Sequence, residues 1–372
     1  MNIDSLLSRW TRAAVIDQET ADRIRAFEEA RAGPGRIRWP IWIASAFGAI
    51  LVGSGVLLFV SAHWDAIGPG SRFALVSLMV AVFHVAGALL TERAAAVAVA
   101  LHGVGTLALG AGIFLSGQIF NLDEHWPGGF MLWALGAALA WIVLRHAPQL
   151  ALTAFLAPVW LVSEWLVAAD DAAFGDYAVP ACGVALQALA YFSAPHAGRT
   201  GLERRTLRLV GGVALLPSSI WLAVSQAGRP AADVDISMAL LATGWIVAFG
   251  VPLALAVLLR GADAWPIGVA ALWVAILLQL DRLPIDVAPY VWWAAGALAL
   301  VAWGIRESRT ERINMAVVIF AATVGAFYFS EVMDKLGRAA SLIGFGLLFL
   351  AGGWALERTR RSLVAQARGR QS

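Results

Sequence analysis

Long apolar runs follow one another from Trp39 to about residue 356, separated by brief polar breaks. Each is close to the roughly 20 residues needed to cross a bilayer as a helix. Twelve can be delimited, at 39–62, 72–91, 95–117, 129–145, 149–169, 176–194, 207–226, 237–259, 265–280, 288–305, 313–330 and 339–356. The pattern predicts an all-α polytopic membrane protein of about 12 transmembrane helices, paired as antiparallel hairpins because the breaks are short. Residues 1–38 follow a different rhythm. Ile3, Leu6, Leu7 and Trp10 recur at helical spacing. Asp17, preceded by Ile16, suits an N-cap, Ile24 and Phe27 mark a second stripe, and Gly33-Pro34-Gly35 ends it. This short helical hairpin holds too few residues to bury a core alone. It is expected to dock on the membrane domain, the bilayer surface or a cytoplasmic protein partner. It does not read as a signal peptide, whose apolar core follows its basic start at once.

Composition strengthens the membrane reading. The chain is 60% apolar and only 14% charged, with a mean hydropathy of +0.74. Its 17 tryptophans cluster near the ends of apolar runs, as in interfacial belts. The single cysteine, Cys182, excludes a disulfide framework and any cysteine-based metal site. Charge then sets the orientation. With the N-terminus inside, all but five of the 27 basic residues fall on the cytoplasmic side, and the exceptions are Arg72, Arg229, Arg282, Lys335 and Arg338. One missed span would scramble this partition. The expected domains are a cytoplasmic hairpin (1–38), a twelve-span membrane domain (39–356) and a basic cytoplasmic tail (357–372), N-in and C-in. Partition of the arginines by topology leaves nothing that calls for nucleic acid, and the expected partner is the lipid bilayer.

Polar residues inside this oily chain are the candidate chemistry. The odd-numbered spans all end at their outer side with a polar group: His63-Trp64-Asp65, Ser116-Gly117-Gln118, Ser163-Glu164-Trp165, Ser225-Gln226, Gln279-Leu280-Asp281 and Ser330-Glu331. Polar residues are expected wherever a helix meets water, and Ser is tolerated there. The sharper reading is six diverged hairpins whose odd spans converge on an outward-facing vestibule, where buried ionisable groups find partners or water. The richest stretch is Ser116–Trp126, with Gln118, Asn121, Asp123, Glu124 and His125. The candidate substrate-binding set is therefore His63, Asp65, Gln118, Asn121, Asp123, Glu124, His125, Glu164 and Glu331. Two histidines and several carboxylates also suit a metal, but they stand on separate hairpins without tight ligand spacing, so no metal or cofactor is assigned. Pro158, Pro180, Pro217 and Pro252 fall in four consecutive spans and could kink them to open a cavity. His84 and His102 lie at comparable depth in the inner halves of spans two and three, where they could face each other.

Three stretches together carry a resemblance. They are the N-terminal segment with Trp10, Val15-Ile16, Ala21, Ile24 and Glu28, then Gly48 to Asp65, then Gly110 to Trp126. Over about residues 1–165 the chain resembles the bacterial predicted membrane protein family called domain of unknown function 2157. The resemblance implies a multi-pass protein of the bacterial inner membrane with a cytoplasmic N-terminal helical segment, and it implies no catalytic role. Three functions remain open. The first is transport or handling of a small solute or lipid-like molecule through the vestibule. The second is a membrane scaffold or sensor acting through the N-terminal hairpin. The third is a membrane-embedded enzyme acting on an envelope lipid or glycan, with Asp123, His125 and Glu164 as its acid–base groups. No soluble-enzyme signature such as HExxH, a Walker loop or a GxSxG elbow is present.

Overall fold

A computed structural model describes Leu7 and residues 10–13, 15–31, 68–120, 125–169, 177–195, 201–227, 236–280 and 287–332, with Phe47, Leu51 and residues 346–347. Every regular element among these residues is helical. In chain order they are α1 (Gln18–Arg31), α2 (Pro69–Leu90), α3 (Ala95–Phe120), α4 (Pro127–Leu144), α5 (Ala147–Ala168), α6 (Ala178–Phe192), α7 (Gly201–Ala227), α8 (Met238–Arg260), α9 (Trp265–Leu280), α10 (Ala288–Arg306) and α11 (Thr310–Phe327). Helices occupy all the expected spans from the second to the eleventh. The first and the twelfth lie almost wholly outside the described residues.

Among the described residues, eight helical stretches are long and apolar enough to cross a membrane, one of them running unbroken in hydropathy over 43 residues from Met238 to Leu280. The backbone divides that stretch. A 3-10 turn, Gly261–Ala264, separates α8 from α9, and Gly261 sits at φ 60°, where a side chain would be strained. Ala256, Ala264 and Ile267 then pack in one cluster with Ala190, so the chain folds back at this point.

Among the described apolar helices the shortest is the central one. α6 has only 15 residues, roughly 22 Å of helix, less than the roughly 30 Å hydrocarbon core of a bilayer. Twelve of its 15 residues are buried, so it is surrounded by protein. Ala178, Ala181, Cys182 and Leu186 are buried against Leu222 of α7 and Val274, Leu277 and Leu278 of α9, while Ala190 meets Ala256 of α8. Its many Ala residues and Gly183 let neighbouring backbones approach closely. Around it, α2 pairs with α3, α4 with α5, α6 with α7, and α10 with α11. Leu78, Leu89, Val213 and Leu258 remain more than half exposed, as expected of a lipid-facing surface.

Indole N–H groups tie hairpins together. Trp133 on α4 donates to the Thr106 carbonyl on α3 (2.8 Å). Trp273 on α9 and Trp292 on α10 each donate to the other's carbonyl (3.2 and 3.0 Å) with their rings stacked. In the N-terminal region Asp17 caps α1, accepting from the Thr20 amide at 2.8 Å, as its position predicts. Ala21 is buried there, whereas Phe27 is 59% exposed, so the buried stripe of α1 is not the one that Phe27 marks in the sequence.

Candidate functional site

A cavity of about 230 Å³ opens between α5, α6 and α8. Pro158, Pro180 and Pro252 line it, one from each helix. Pro158 and Pro252 lie inside their helices and cost a backbone bond, whereas Pro180 falls in the first turn of α6, where its missing N–H is no loss. Pro180 therefore starts a helix instead of kinking one. Pro217 is inside α7 and does not reach the cavity. The walls are mainly Val, Leu, Ala and Gly, and the polar groups are few: Glu164, Gln187, Thr243 and the indole of Trp165.

Glu164 sits in the last turns of α5 at the polar rim. Trp160, one turn earlier, donates its indole N–H to one carboxylate oxygen (2.7 Å). His125, just before α4, holds the other through Nε2 at 2.6 Å. The hairpin geometry explains the pairing: the N-terminus of α4 and the C-terminus of α5 meet at the same end of the bundle, joining residues 39 apart in sequence. Both partners keep solvent access, at 56% for the His125 side chain and 36% for Glu164, so the contact positions the carboxylate more than it stabilises the fold. Deeper in the cavity, Gln187 donates to the Tyr191 hydroxyl (3.0 Å). Trp165 packs over Gly244 of α8, and its Nε1 is buried without a hydrogen-bond partner. A buried donor without an acceptor costs about 1–3 kcal/mol, so this indole is held against α8 by packing and not by its N–H.

Of the residues selected from the sequence, His125 and Glu164 are brought together. Gln118 lies in the last turn of α3 and Glu331 in the π-helical turn after α11. His63, Asp65, Asn121, Asp123 and Glu124 lie outside the described residues. Among the described residues the cavity is lined by one odd and two even spans, and Glu164 is the odd-span end that reaches it. Several of the serines at those ends satisfy themselves locally. Ser116, Ser163 and Ser225 donate to carbonyls three or four residues back in their own helices, the usual way for Ser to be accommodated in an apolar helix. Pattern reading missed Trp160, Trp165, Gln187 as a cavity residue, and Gly244. Only the three-dimensional meeting of α5, α6 and α8 reveals them.

Residues 8–150 match the family described as predicted membrane protein (DUF2157). With its several apolar helices, the chain is a membrane protein. No curated protein and no solved structure matches it. The DUF2157 match includes His125 and stops before Glu164, so the pair joins the matched segment to the remainder of the chain. It also includes a second polar cluster. His84 and His102 face each other across α2 and α3 with Nδ1 atoms 3.0 Å apart, and the His146 ring stands 5.5 Å from that of His102. Such a bond needs one nitrogen as donor and the other as acceptor, so the pair as seen is not doubly protonated. Among the described residues no group of three histidines or acids has metal-binding geometry.

The histidines fit reciprocally into glycines. A Cβ at Gly87 would lie 2.9 Å from the His102 ring, and one at Gly105 would lie 2.9 Å from the His84 ring. Gly87→Ala or Gly105→Ala should therefore displace a ring, break the Nδ1 contact and cost about 1–3 kcal/mol of stability. Thermal unfolding of the detergent-solubilised variants checks this, and unchanged midpoints would show that the rings do not need the space.

Proposed function

We propose that the protein resides in the bacterial inner membrane and handles a small amphiphilic, lipid-like molecule in the cavity between α5, α6 and α8. The observation that carries this reading is the meeting of Glu164 with a mainly apolar cavity flanked by Pro158, Pro180 and Pro252. Ligand sites are concave and largely apolar, with a few polar groups that fix orientation. Here Glu164 is oriented by Trp160 and His125 and keeps lone pairs free, so a ligand hydroxyl or amide N–H supplies a further donor to it. The apolar walls favour a lipid-like ligand over a hydrophilic solute. The charge partition supports an outward-facing rim for Glu164 and His125, with the arginine-rich ends of the helices in the cytoplasm. Nothing in the cavity requires a metal or cofactor.

The test compares wild type with Val247→Trp, which fills the cavity, and Glu164→Gln, which keeps its shape and removes its charge. Each is purified from native membranes, and the co-purifying small molecules are identified by mass spectrometry. One amphiphile should be depleted about tenfold or more in Val247→Trp and several-fold in Glu164→Gln, because one good polar contact is worth about 1–3 kcal/mol. Identical small-molecule profiles for three equally stable proteins would remove this reading.

A scaffold or sensor role through residues 1–38 is the second reading. It is favoured by the exposed apolar side chains Val15 (69%) and Phe27 (59%) in the N-terminal region, which offer contact area to a cytoplasmic protein.

A further inference from the structure

At the opposite end of the bundle from Glu164, a second cavity of about 360 Å³ lies between the end of α6, the first turns of α7 and the α10–α11 turn. Arg205, Arg208, Arg309 and Arg312 line it against a single acid, Glu311. We propose that this cavity binds the phosphate of an anionic phospholipid whose acyl chain lies along α7. The site is separate from the Glu164 cavity and shares no residue with it.

Charge and shape both point this way. Guanidinium groups present a planar fork that matches phosphate oxygens, and they are weakly hydrated enough to work at a membrane boundary. The four arginines differ in role. Arg312 is 3% exposed and fixed: its Nη1 donates to Glu307 (2.7 Å), its Nη2 to the Ser193 carbonyl (3.2 Å), and its guanidinium stacks 3.9 Å from the Trp303 ring centre. It supplies a positive charge held at the cavity floor. Arg205 is exposed at the mouth, and Arg208 is half-buried within the electrostatic reach of Glu311, so Arg205 is the side chain placed to close on a ligand. Net charge around the site stays positive even with Glu307 included, because Arg260 shares that carboxylate with Arg312.

The remaining lining argues for a lipid rather than a free anion. Leu209 and Val213 line the cavity while being 62% and 76% exposed. Ile220 and Val224, at 52% and 63%, continue the same stripe of α7. From Leu209 to Val224 the stripe runs roughly 22 Å by helical rise, longer than one leaflet of a bilayer core. An arginine cup at the head of an apolar, lipid-facing track has the layout of a phospholipid. Basic pockets between membrane helices on the cytoplasmic side are the usual places for anionic headgroups.

The experiment uses the full-length protein in a neutral detergent, titrated separately with phosphatidylglycerol, phosphatidylcholine and inorganic phosphate, with bound molecules counted by native mass spectrometry. Phosphatidylglycerol should be retained about tenfold more strongly than phosphatidylcholine. The Arg205→Gln/Arg208→Gln double variant should lose that preference entirely, since roughly fivefold per arginine exceeds tenfold for the pair. The Arg205→Lys/Arg208→Lys variant keeps the charge and should stay within a few-fold of wild type. Arg145→Gln, whose side chain pairs at the surface with Glu203 (3.4 Å), should bind as wild type does. Should the double variant fold poorly, Arg205→Gln alone, on an exposed side chain, carries the comparison. Equal retention of the two lipids, or an equal loss in Arg145→Gln, overturns the site. Inorganic phosphate that binds the delipidated protein and displaces phosphatidylglycerol overturns the lipid assignment and leaves a soluble phosphate as the ligand.

Discussion

Replacing Glu307 by alanine is expected to cost about 3–5 kcal/mol of stability, because it strips two buried guanidinium groups of the anion they share. Glu307 follows α10 at the arginine-rich end. One oxygen accepts from Arg260 (2.6 Å) and from the Trp303 indole, and the other accepts from Arg312 (2.7 Å). The side chains of Arg260 and Arg312 are only 6% and 3% exposed. Both also donate to the Ser193 carbonyl, so the cluster joins the ends of α6, α8 and α10 to the start of α11. Local structure holds the carboxylate in place. Ser308 takes φ 55°, and its N–H bonds the Ile305 carbonyl while the Arg309 N–H bonds that of Gly304, which together form a Schellman turn. Glu307→Gln keeps the shape and one acceptor but leaves both charges uncompensated, so it should lose most of the same stability. Unfolding midpoints in detergent measure both variants, and a loss below about 1 kcal/mol in each would show that the cluster is not a tie between helices.

The same carboxylate predicts a pH response. Burial pushes its pKa up, but hydrogen bonds from Arg260, Trp303 and Arg312 outweigh burial and lower it from 4.5 to about 2. The folded state therefore favours the ionised form. Its contribution to stability is complete above about pH 4.5 and is lost as the pH falls toward 2. Between pH 7 and 5 the midpoint should owe no change to this group. Below 4.5 wild type should fall more steeply than Glu307→Gln, and parallel curves would overturn the assignment.

Gly211→Ala is expected to be the most damaging single-methyl change among the described glycines. A Cβ at Gly211 would lie 2.3 Å from the Phe192 amide nitrogen and 2.5 Å from the Ala188 carbonyl oxygen. Most other crowded glycines face side chains that can turn aside, as Gly110 faces Trp133 and Gly244 faces Trp165. Gly211 faces backbone, so α6 and α7 have to separate. Overpacking of this kind typically costs about 1–3 kcal/mol and more where relief requires a helix to move. Gly212, the next residue, lines the arginine cavity, so the displacement should weaken phosphatidylglycerol retention too. Gly250→Ala is the control, since nothing lies within 4 Å of its added Cβ. Equal midpoints for the two variants would overturn the close approach.

Much of the architecture is written along the chain. Apolar runs mark helices that start and stop within a few residues of their expected limits, because a helix must satisfy its own backbone in lipid. Glycine and proline punctuation is legible too. Asp17 caps α1 as its position suggests, and the break at residues 261–264 lies where one apolar run gives way to the next. The site was legible only in part. Glu164 and His125 stand out as polar residues at helix ends, yet their partnership depends on α4 and α5 meeting at one end of the bundle. His84 and His102 are visible as equal in depth, and their contact was settled by two glycines that let α2 and α3 close.

What the sequence determined by itself is which segments are apolar and long enough to cross a membrane, and where positive charge gathers between them. Tertiary structure decided which helix is central, which three enclose the cavity around Glu164, and which arginines share Glu307. The physical reason is that lipid is as apolar as leucine, so burial in protein and exposure to lipid leave the same hydropathy trace. The choice among helix partners rests on small residues, indole N–H groups and a few charges. α6 and α2 read alike as apolar spans, and only packing makes one the core and the other part of the rim.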